Sequence, residues 1–338
     1  MTSEADSAPG PRGGAWTSAE VEVLGRAVLR APSVHNTQPW TVEPIAGAVV
    51  LRERTDVALP RHDPDRRDLV MSCGAALANL ELAVRVLGRR ADVTILPDPA
   101  HPEVVARIDA TVPEPPSDTD LKRFSAIATR RSQRTRFTGI PVARRLVAEV
   151  ARAAVTTGAQ AVPLPDAGEL AALFGHAARE IRDDGAYQRE IALWTIRDEA
   201  SHRHGAGLGR TAVPGGEFPW AGLVRRTTEV PELPVLRSRL AGETFLLFLT
   251  TDDGRADHVH AGRALEQCWL EAITRGLSVA VLTQPLHVPE VRSALCEDRG
   301  LPGFPQALMR LGRTARIAPR SLRRGLGEVL IGQRGNGS

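Results

Sequence analysis

A strand-helix-strand pattern that occurs twice limits what this chain can fold into more than any single motif does. Gly74-Ala75-Ala76-Leu77-Ala78-Asn79-Leu80-Glu81-Leu82 runs on to Gly88, and Gly262-Arg263-Ala264-Leu265-Glu266-Gln267-Cys268-Trp269-Leu270 runs on to Gly276. Ala76, Leu77 and Leu82 match Ala264, Leu265 and Leu270. Each segment has helical apolar spacing and closes on a glycine, the residue that takes a left-handed C-cap most readily. Strands are expected before the two helices, at Ala48–Arg52 and Thr244–Thr250, and after them, at Val93–Leu96 and Ser278–Leu282. Element order and residue identities repeat together, which predicts a duplicated unit. The alternative is a pair of unrelated amphipathic helices that share a glycine stop.

The rest of the chain divides around that repeat. Its 338 residues suit two units at roughly 100 to 200 residues per domain. Pro113, Pro115 and Pro116 lack donors and restrict their neighbours, so residues 113–118 read as a linker between a first half, 17–112, and a second, 119–338. Residues 1–16, small and polar, read as a disordered tail. Thr17 and Glu20 form a capping box that starts a helix ending at Ala31-Pro32. Further helices are expected at 74–87, 119–129, 169–181, 187–202 and 262–275. A glycine- and proline-rich insertion, about 201–235, interrupts the second half. Segments of that length are usually lids, binding loops or disorder.

Composition narrows the class. With 42% hydrophobic and 25% charged residues the chain can bury a sizeable core. Lys+Arg 43 against Asp+Glu 40 leaves a net charge of only +3, spread along the chain, which gives nucleic acid little to hold. Cys73, Cys268 and Cys296 show neither CxxC nor metal spacing and fit reduced thiols in a cytoplasm. Residues 1–14 show no basic-then-apolar leader. The longest aliphatic run, Phe245–Leu249, is far short of the ~20 residues that span a bilayer. A soluble cytoplasmic protein, with neither nucleic acid nor membrane as partner, is expected.

Two segments carry chemistry. Ala31-Pro32-Ser33-Val34-His35-Asn36-Thr37-Gln38-Pro39-Trp40 follows a helix stop and concentrates hydroxyls and amides ahead of a buried aromatic. Ser33, Asn36 and Gln38 suit the carbonyls and ring nitrogens of a flavin edge; they equally suit a turn that satisfies its own backbone. Arg130-Arg131-Ser132-Gln133-Arg134-Thr135-Arg136-Phe137 groups guanidinium forks with a hydroxyl at a helix end. Guanidinium pairs bidentately with phosphate oxygens, and it also caps the last carbonyls of a helix. Gly205-Ala206-Gly207-Leu208-Gly209 follows no strand and is not a dinucleotide loop. His202/His204 and His258/His260 have HxH spacing but no evident third ligand, so no metal is expected. No GxSxG, HExxH or P-loop is present, which leaves hydrolase and kinase chemistry without a foothold.

Ala-Pro-Ser-x-x-Asn-x-Gln-Pro-Trp and Arg-Arg-Ser-x-Arg-x-x-Phe resemble the flavin-edge loop and the phosphate segment of the nitroreductase superfamily. Their order is inverted here, with the loop in the first half and the phosphate segment opening the second, as a fused dimer with one complete site requires. The chain is similar to the Acg type, long actinobacterial relatives in which one chain imitates the dimer, and the likeness covers about residues 17–330. The resemblance implies an α+β nitroreductase-like fold of two fused repeats, a monomer acting as a pseudo-dimer with room for weak association of copies, and one FMN. By the same resemblance Arg130, Ser132 and Arg134 hold the phosphate with Arg131 beside them, Arg323 and Arg324 complete the cradle, and Ser33, Asn36 and Gln38 touch the ring or ribityl chain. Thr283 and Gln284 stand where the family sets a Glu-Gly backbone against flavin N5. The implied activity is NAD(P)H-dependent, ping-pong reduction of nitroaromatic or quinone-type acceptors, in which no side chain need act as acid or base. The alternative is a flavin-storage protein whose insertion, through Phe218 and Trp220, forms a lid that stays shut.

Overall fold

The computed structural model describes residues 14–155, 158–196, 205–209, 218–220 and 223–332. Residues 1–13, and with them most of the expected tail, lie outside the described residues, as do His202 and His204. α1 (Ser18–Leu29) begins where Thr17 and Glu20 exchange hydrogen bonds in a capping box, and it turns Val21, Leu24 and Val28 inward. β1 (Trp40–Ile45) and β2 (Ala48–Glu53) pair antiparallel, α2 (Arg67–Val86) follows, and β3 (Asp92–Ile95) and β4 (Val104–Asp109) complete a sheet of order β1-β2-β4-β3. α3 (Asp118–Thr129) opens on a second capping box, Ser117 with Asp120. α4 (Arg144–Ala151) and β5 (Gln160–Leu164) lead to α5 (Ala171–Asp183) and α6 (Gly185–Leu193). β6 (Thr195–Ile196) and β7 (Leu208–Gly209) form a short parallel pair.

After α7 (Leu233–Ala241) come β8 (Thr244–Thr250), α8 (Arg255–Thr274), β9 (Ser278–Leu282), α9 (Pro289–Arg299) and β10 (Phe304–Gly312). The second sheet has the order β5-β8-β10-β9. Both sheets therefore set their last strand between the second and third, and both launch a 20-residue helix from the second strand. β8 presents Leu246 and Phe248 to α8 and Phe245, Leu247 and Leu249 to the layer of α5 and α7, so its uninterrupted apolar run reflects burial on both faces.

The two long helices start earlier than Gly74 and Gly262. Asp63 accepts the backbone N–H groups of Asp68 and Leu69 and so caps the first turn of α2, and Asp257 reaches back to Gly254 at the start of α8. Every residue of α2 from Arg67 to Val84 is buried. By length and composition α2 could cross a bilayer, but 89% of its apolar window is covered by protein. His258 and His260 fall within α8, where residues two apart point to different sides. His258 bonds Asp253, while His260 packs on Gly158, so the HxH pair does not share one side of a strand.

Glycine makes the crossing of α2 and α8 close. A Cβ at Gly74 would overlap the Val259 carbonyl, and one at Gly262 would overlap the Met71 carbonyl. The chain ends of the two halves also interlock. Past β10 the chain runs back to the first half, where α10 (Leu326–Val329) lies on α1 and the Ile331 N–H donates to the Val42 carbonyl at 2.8 Å. Residues 326–331 thus pack against α1 and β1.

The crossing sets a first expected outcome. Gly262→Ala should destabilise the protein by roughly 1–3 kcal/mol or more, because backbone and not a flexible side chain must yield, whereas Gly327→Ala, with open space around it, should cost little. Urea unfolding of both variants checks this, and equal stabilities would disprove the close crossing.

Candidate functional site

A cleft lies where the two helices, the loop after α1 and the segment after α3 meet. Its apolar end is walled by Met71 and Ala75 from α2, Leu265 and Trp269 from α8, and Val281 from β9. Its other end is basic and is framed by Arg30, Arg130, Arg131, Arg320 and Arg323. Pro32, Ser33, Ser132 and Arg134 line both, so the two ends adjoin across these four residues.

The loop after α1 holds an unusual backbone. His35, Asn36 and Gln38 all sit at positive φ, 46°, 56° and 52°, a region that non-glycine residues occupy at a cost of order 1–3 kcal/mol when strained. Side-chain amides hold it there. Asn36 Nδ2 donates to the carbonyls of Gly205, Gly207 and Leu322 at 3.0–3.2 Å, and its Oδ1 accepts from Arg323 at 2.9 Å. Gln38 donates to the Gly205 carbonyl at 2.9 Å and accepts the backbone N–H of Arg324 at 3.0 Å. Ser33 Oγ accepts the Gln38 N–H at 2.9 Å.

The segment after α3 is laid along the edge of the second sheet. Ser132 bridges Val279 in parallel register and the Gln133 N–H donates to the Val279 carbonyl at 2.7 Å. Arg310 on β10, fully buried, fastens the same segment by donating to the carbonyls of Gln133 and Thr135. Arg130 is left buried, with its guanidinium 4.4 Å above the Trp269 ring, 2.7 Å from the Arg30 carbonyl and 3.3 Å from the Glu266 carboxylate. Burial pushes Arg134 down to about 10, helped by Arg130, and pushes Arg323 down to about 9, helped by Arg130 and Arg30. Both remain charged at neutral pH. Burial raises Glu266 to about 7 against the pull of Arg130. The Arg323 Nε is buried without a hydrogen-bond partner, whereas the Arg130 Nε faces Glu266.

The expected site residues therefore separate. Ser33, Arg130, Arg131, Ser132, Arg134 and Arg323 come together around the cleft, with Asn36 at its basic end. Gln38 is fully buried and lines neither end. Arg324 turns away, donating to the Thr37 carbonyl and pairing with Glu328. Thr283 and Gln284 line the apolar end, but the Thr283 hydroxyl donates to Asp68 and Gln284 bonds the Val224 N–H and the Tyr187 hydroxyl.

Phe218 and Trp220 do not lie over the cleft. Phe218 joins the core with Phe174 and Phe245, while the Trp220 indole donates to Glu243 at 2.7 Å with its ring between Arg136 and Arg239. Neither lines the cleft, which Leu208 reaches at the basic end and Leu223 at the apolar end among the described residues of the insertion.

Four residues at the apolar end escaped the sequence reading. His35, His62 and Asp68 line it and His287 stands behind them, with His62 Nε2 3.1 Å and His287 Nε2 3.0 Å from Asp68 Oδ2. Only the tertiary fold joins them, since Asp68 and His287 lie on opposite halves of the chain.

No family model matches the chain. A Mycobacterium tuberculosis protein named "Putative NAD(P)H nitroreductase" is 31% identical over 84% of this chain and 82% of its own length. Another from the same organism, "Putative NAD(P)H nitroreductase acg", is 29% identical over 93% of this chain and 96% of its own. Among solved structures, a Bacteroides fragilis nitroreductase with bound FMN covers 59% of this chain and 91% of its own at 15% identity, with a TM-score of 0.39. Identity at this level across both full-length relatives places the chain in the nitroreductase superfamily, among its Acg-type members.

Proposed function

We propose that the cleft holds one FMN per chain, ring along the apolar end and phosphate at the basic end, and that NAD(P)H and a nitroaromatic or quinone acceptor meet the ring in turn. The observation that carries this reading is an apolar slot that adjoins a set of buried guanidiniums. The Arg323 Nε, buried without a hydrogen-bond partner, suits a cradle for an anion, since buried donors are rarely left unpaired. The names of the mycobacterial relatives agree.

In this reading Arg130, Ser132, Arg134 and Arg323 hold the phosphate and Arg131 stands at the rim. Ser33 faces the ring, and backbone at Thr283 and Gln284 meets its edge because their side chains are engaged elsewhere. Leu265 and Trp269 exclude water from the slot. A bound flavin supplies hydride transfer, and the protein fixes its place and potential. We assign residues 17–112 and 119–338 to two fused halves that make one chain do the work of a dimer. Free Cys73, Cys268 and Cys296 fit a reducing, cytoplasmic setting. The storage alternative rested on an aromatic lid, and Phe218 and Trp220 give it no support among the described residues.

Three outcomes test these assignments. The protein should purify yellow with about one FMN per chain. Arg134→Ala should weaken FMN by roughly 1.5–3 kcal/mol, about ten- to hundredfold, while riboflavin binding changes little. Fluorescence titration with both ligands decides it, and equal weakening would remove Arg134 from the phosphate. Trp220→Ala should lower stability by roughly 3–5 kcal/mol, as for other buried aromatic truncations, yet leave the rates of FMN release and of flavin bleaching by NADPH unchanged in stopped-flow. A faster release would restore the lid.

A further inference from the structure

Asp68 stands on the first turn of α2, buried to 3% exposure, and organises the apolar end of the cleft. Its Oδ2 accepts from His62 Nε2 at 3.1 Å and from the Thr283 hydroxyl, and lies 3.0 Å from His287 Nε2. Burial alone would raise this carboxyl; the two imidazoles outweigh burial and hold it well below the usual carboxylate range. A permanent carboxylate thus faces both rings.

The imidazoles form a row. His35 and His62 have ring centroids 4.4 Å apart, and His62 and His287 4.7 Å apart. His35 lines the cleft, and burial followed by the nearness of His62 lowers it well below the ordinary histidine value, so it is neutral near pH 7. His62 lines both the cleft and an outer depression, and His287 lines the outer depression together with Arg61, Glu180, Asp184 and Glu290. The row therefore leads from the cleft to an outer face.

Reduction of the acceptors assigned above consumes protons. A quinone that takes two electrons as hydride must also gain one proton to leave as a hydroquinone. A nitro group needs the same pair before it loses water to become a nitroso group, with NAD(P)H as the source of the hydride. Each turnover therefore draws one proton from something other than the reductant. We propose that His62, aligned by Asp68, is the acid that hands the acceptor this proton, and that His287 returns a proton to it from water in the outer depression. His62 is then a catalytic residue, and Asp68 and His287 are positioning residues. The inference rests on the proposed flavin reading.

The spacing would also admit a divalent cation, since the three ligand atoms lie within 4.8 Å of one another. Asp68 Oδ2 is already engaged, receiving the Thr283 hydroxyl and the His62 Nε2–H. Metal content is therefore one arm of the test.

The test uses the FMN-loaded full chain and His62→Gln, His287→Gln and Asp68→Asn. Reoxidation is followed with a quinone, which needs the proton, and with ferricyanide, which takes single electrons and no proton. The quinone-to-ferricyanide rate ratio should fall about a hundredfold in His62→Gln, within the range of general acid catalysis, and less in His287→Gln. In the FMN-free chain, 15N NMR of the imidazoles should show His62 Nε2 keeping its proton toward Asp68 while Nδ1 gains and loses the transferable one, and Asp68→Asn should release Nε2. If Asp68→Asn fails to fold, His62→Gln carries the comparison. Equal losses with both acceptors, an unchanged ratio, or one tightly held metal per chain that Asp68→Asn abolishes would each overturn the relay. A colourless chain overturns the flavin reading and the relay together; a yellow chain bleached normally by NADPH with an unchanged ratio overturns the relay alone.

Discussion

Everything in this molecule depends on how closely α2 and α8 cross. Gly74 meets the Val259 carbonyl and Gly262 meets the Met71 carbonyl, and Met71 and Val259 stand at matching places before the two glycines. The contact is therefore self-complementary in the way of a two-fold subunit interface, but it is made within one chain. A larger residue at either glycine would part the backbones. It would also part Met71 and Ala75 from Leu265 and Trp269, which are the walls of the cleft.

The cleft carries an electrostatic burden that the fold distributes. Removing a guanidinium from water costs several kcal/mol unless charge or geometry compensates. For Arg130 the compensation is Trp269 below it, the Arg30 carbonyl and Glu266. Glu266 is itself raised by burial, with Arg130, Arg323 and Asn79 pulling the other way. Arg323 leans on Asn36 and on the Leu322 carbonyl. The residues closest to the basic end are thus already engaged with one another, and an anion would complete a network instead of starting one.

Local chemistry made some of this legible in the sequence. The Thr17/Glu20 box, the glycine stops and the apolar runs at 244–250 and 278–282 state their structure in neighbouring residues, and the elements begin and end there. Other features depend on partners far along the chain. β10 carries a buried Arg310 whose partners are Glu243 and the carbonyls of Gln133 and Thr135, so its pattern alone does not read as a core strand. The amides of Asn36 and Gln38 look like ligand donors because their true acceptors, the carbonyls at 205, 207 and 322, lie in segments with no motif. His62, Asp68 and His287 share no spacing at all. Sequence showed which groups were polar and gathered, and the fold decided what they face.

The return of the chain past β10 has a consequence for the order of events during synthesis. Arg323, the backbone of Arg324 and α10 reach the ribosome exit after both sheets and both long helices, yet they supply the partners that hold Asn36, Gln38 and the face of α1. Until that stretch emerges, the left-handed loop at 35–38 lacks the restraints that Leu322, Arg323 and Arg324 supply, and the basic end lacks a wall. Assembly of the cleft therefore waits on residues synthesised long after the loop that they hold.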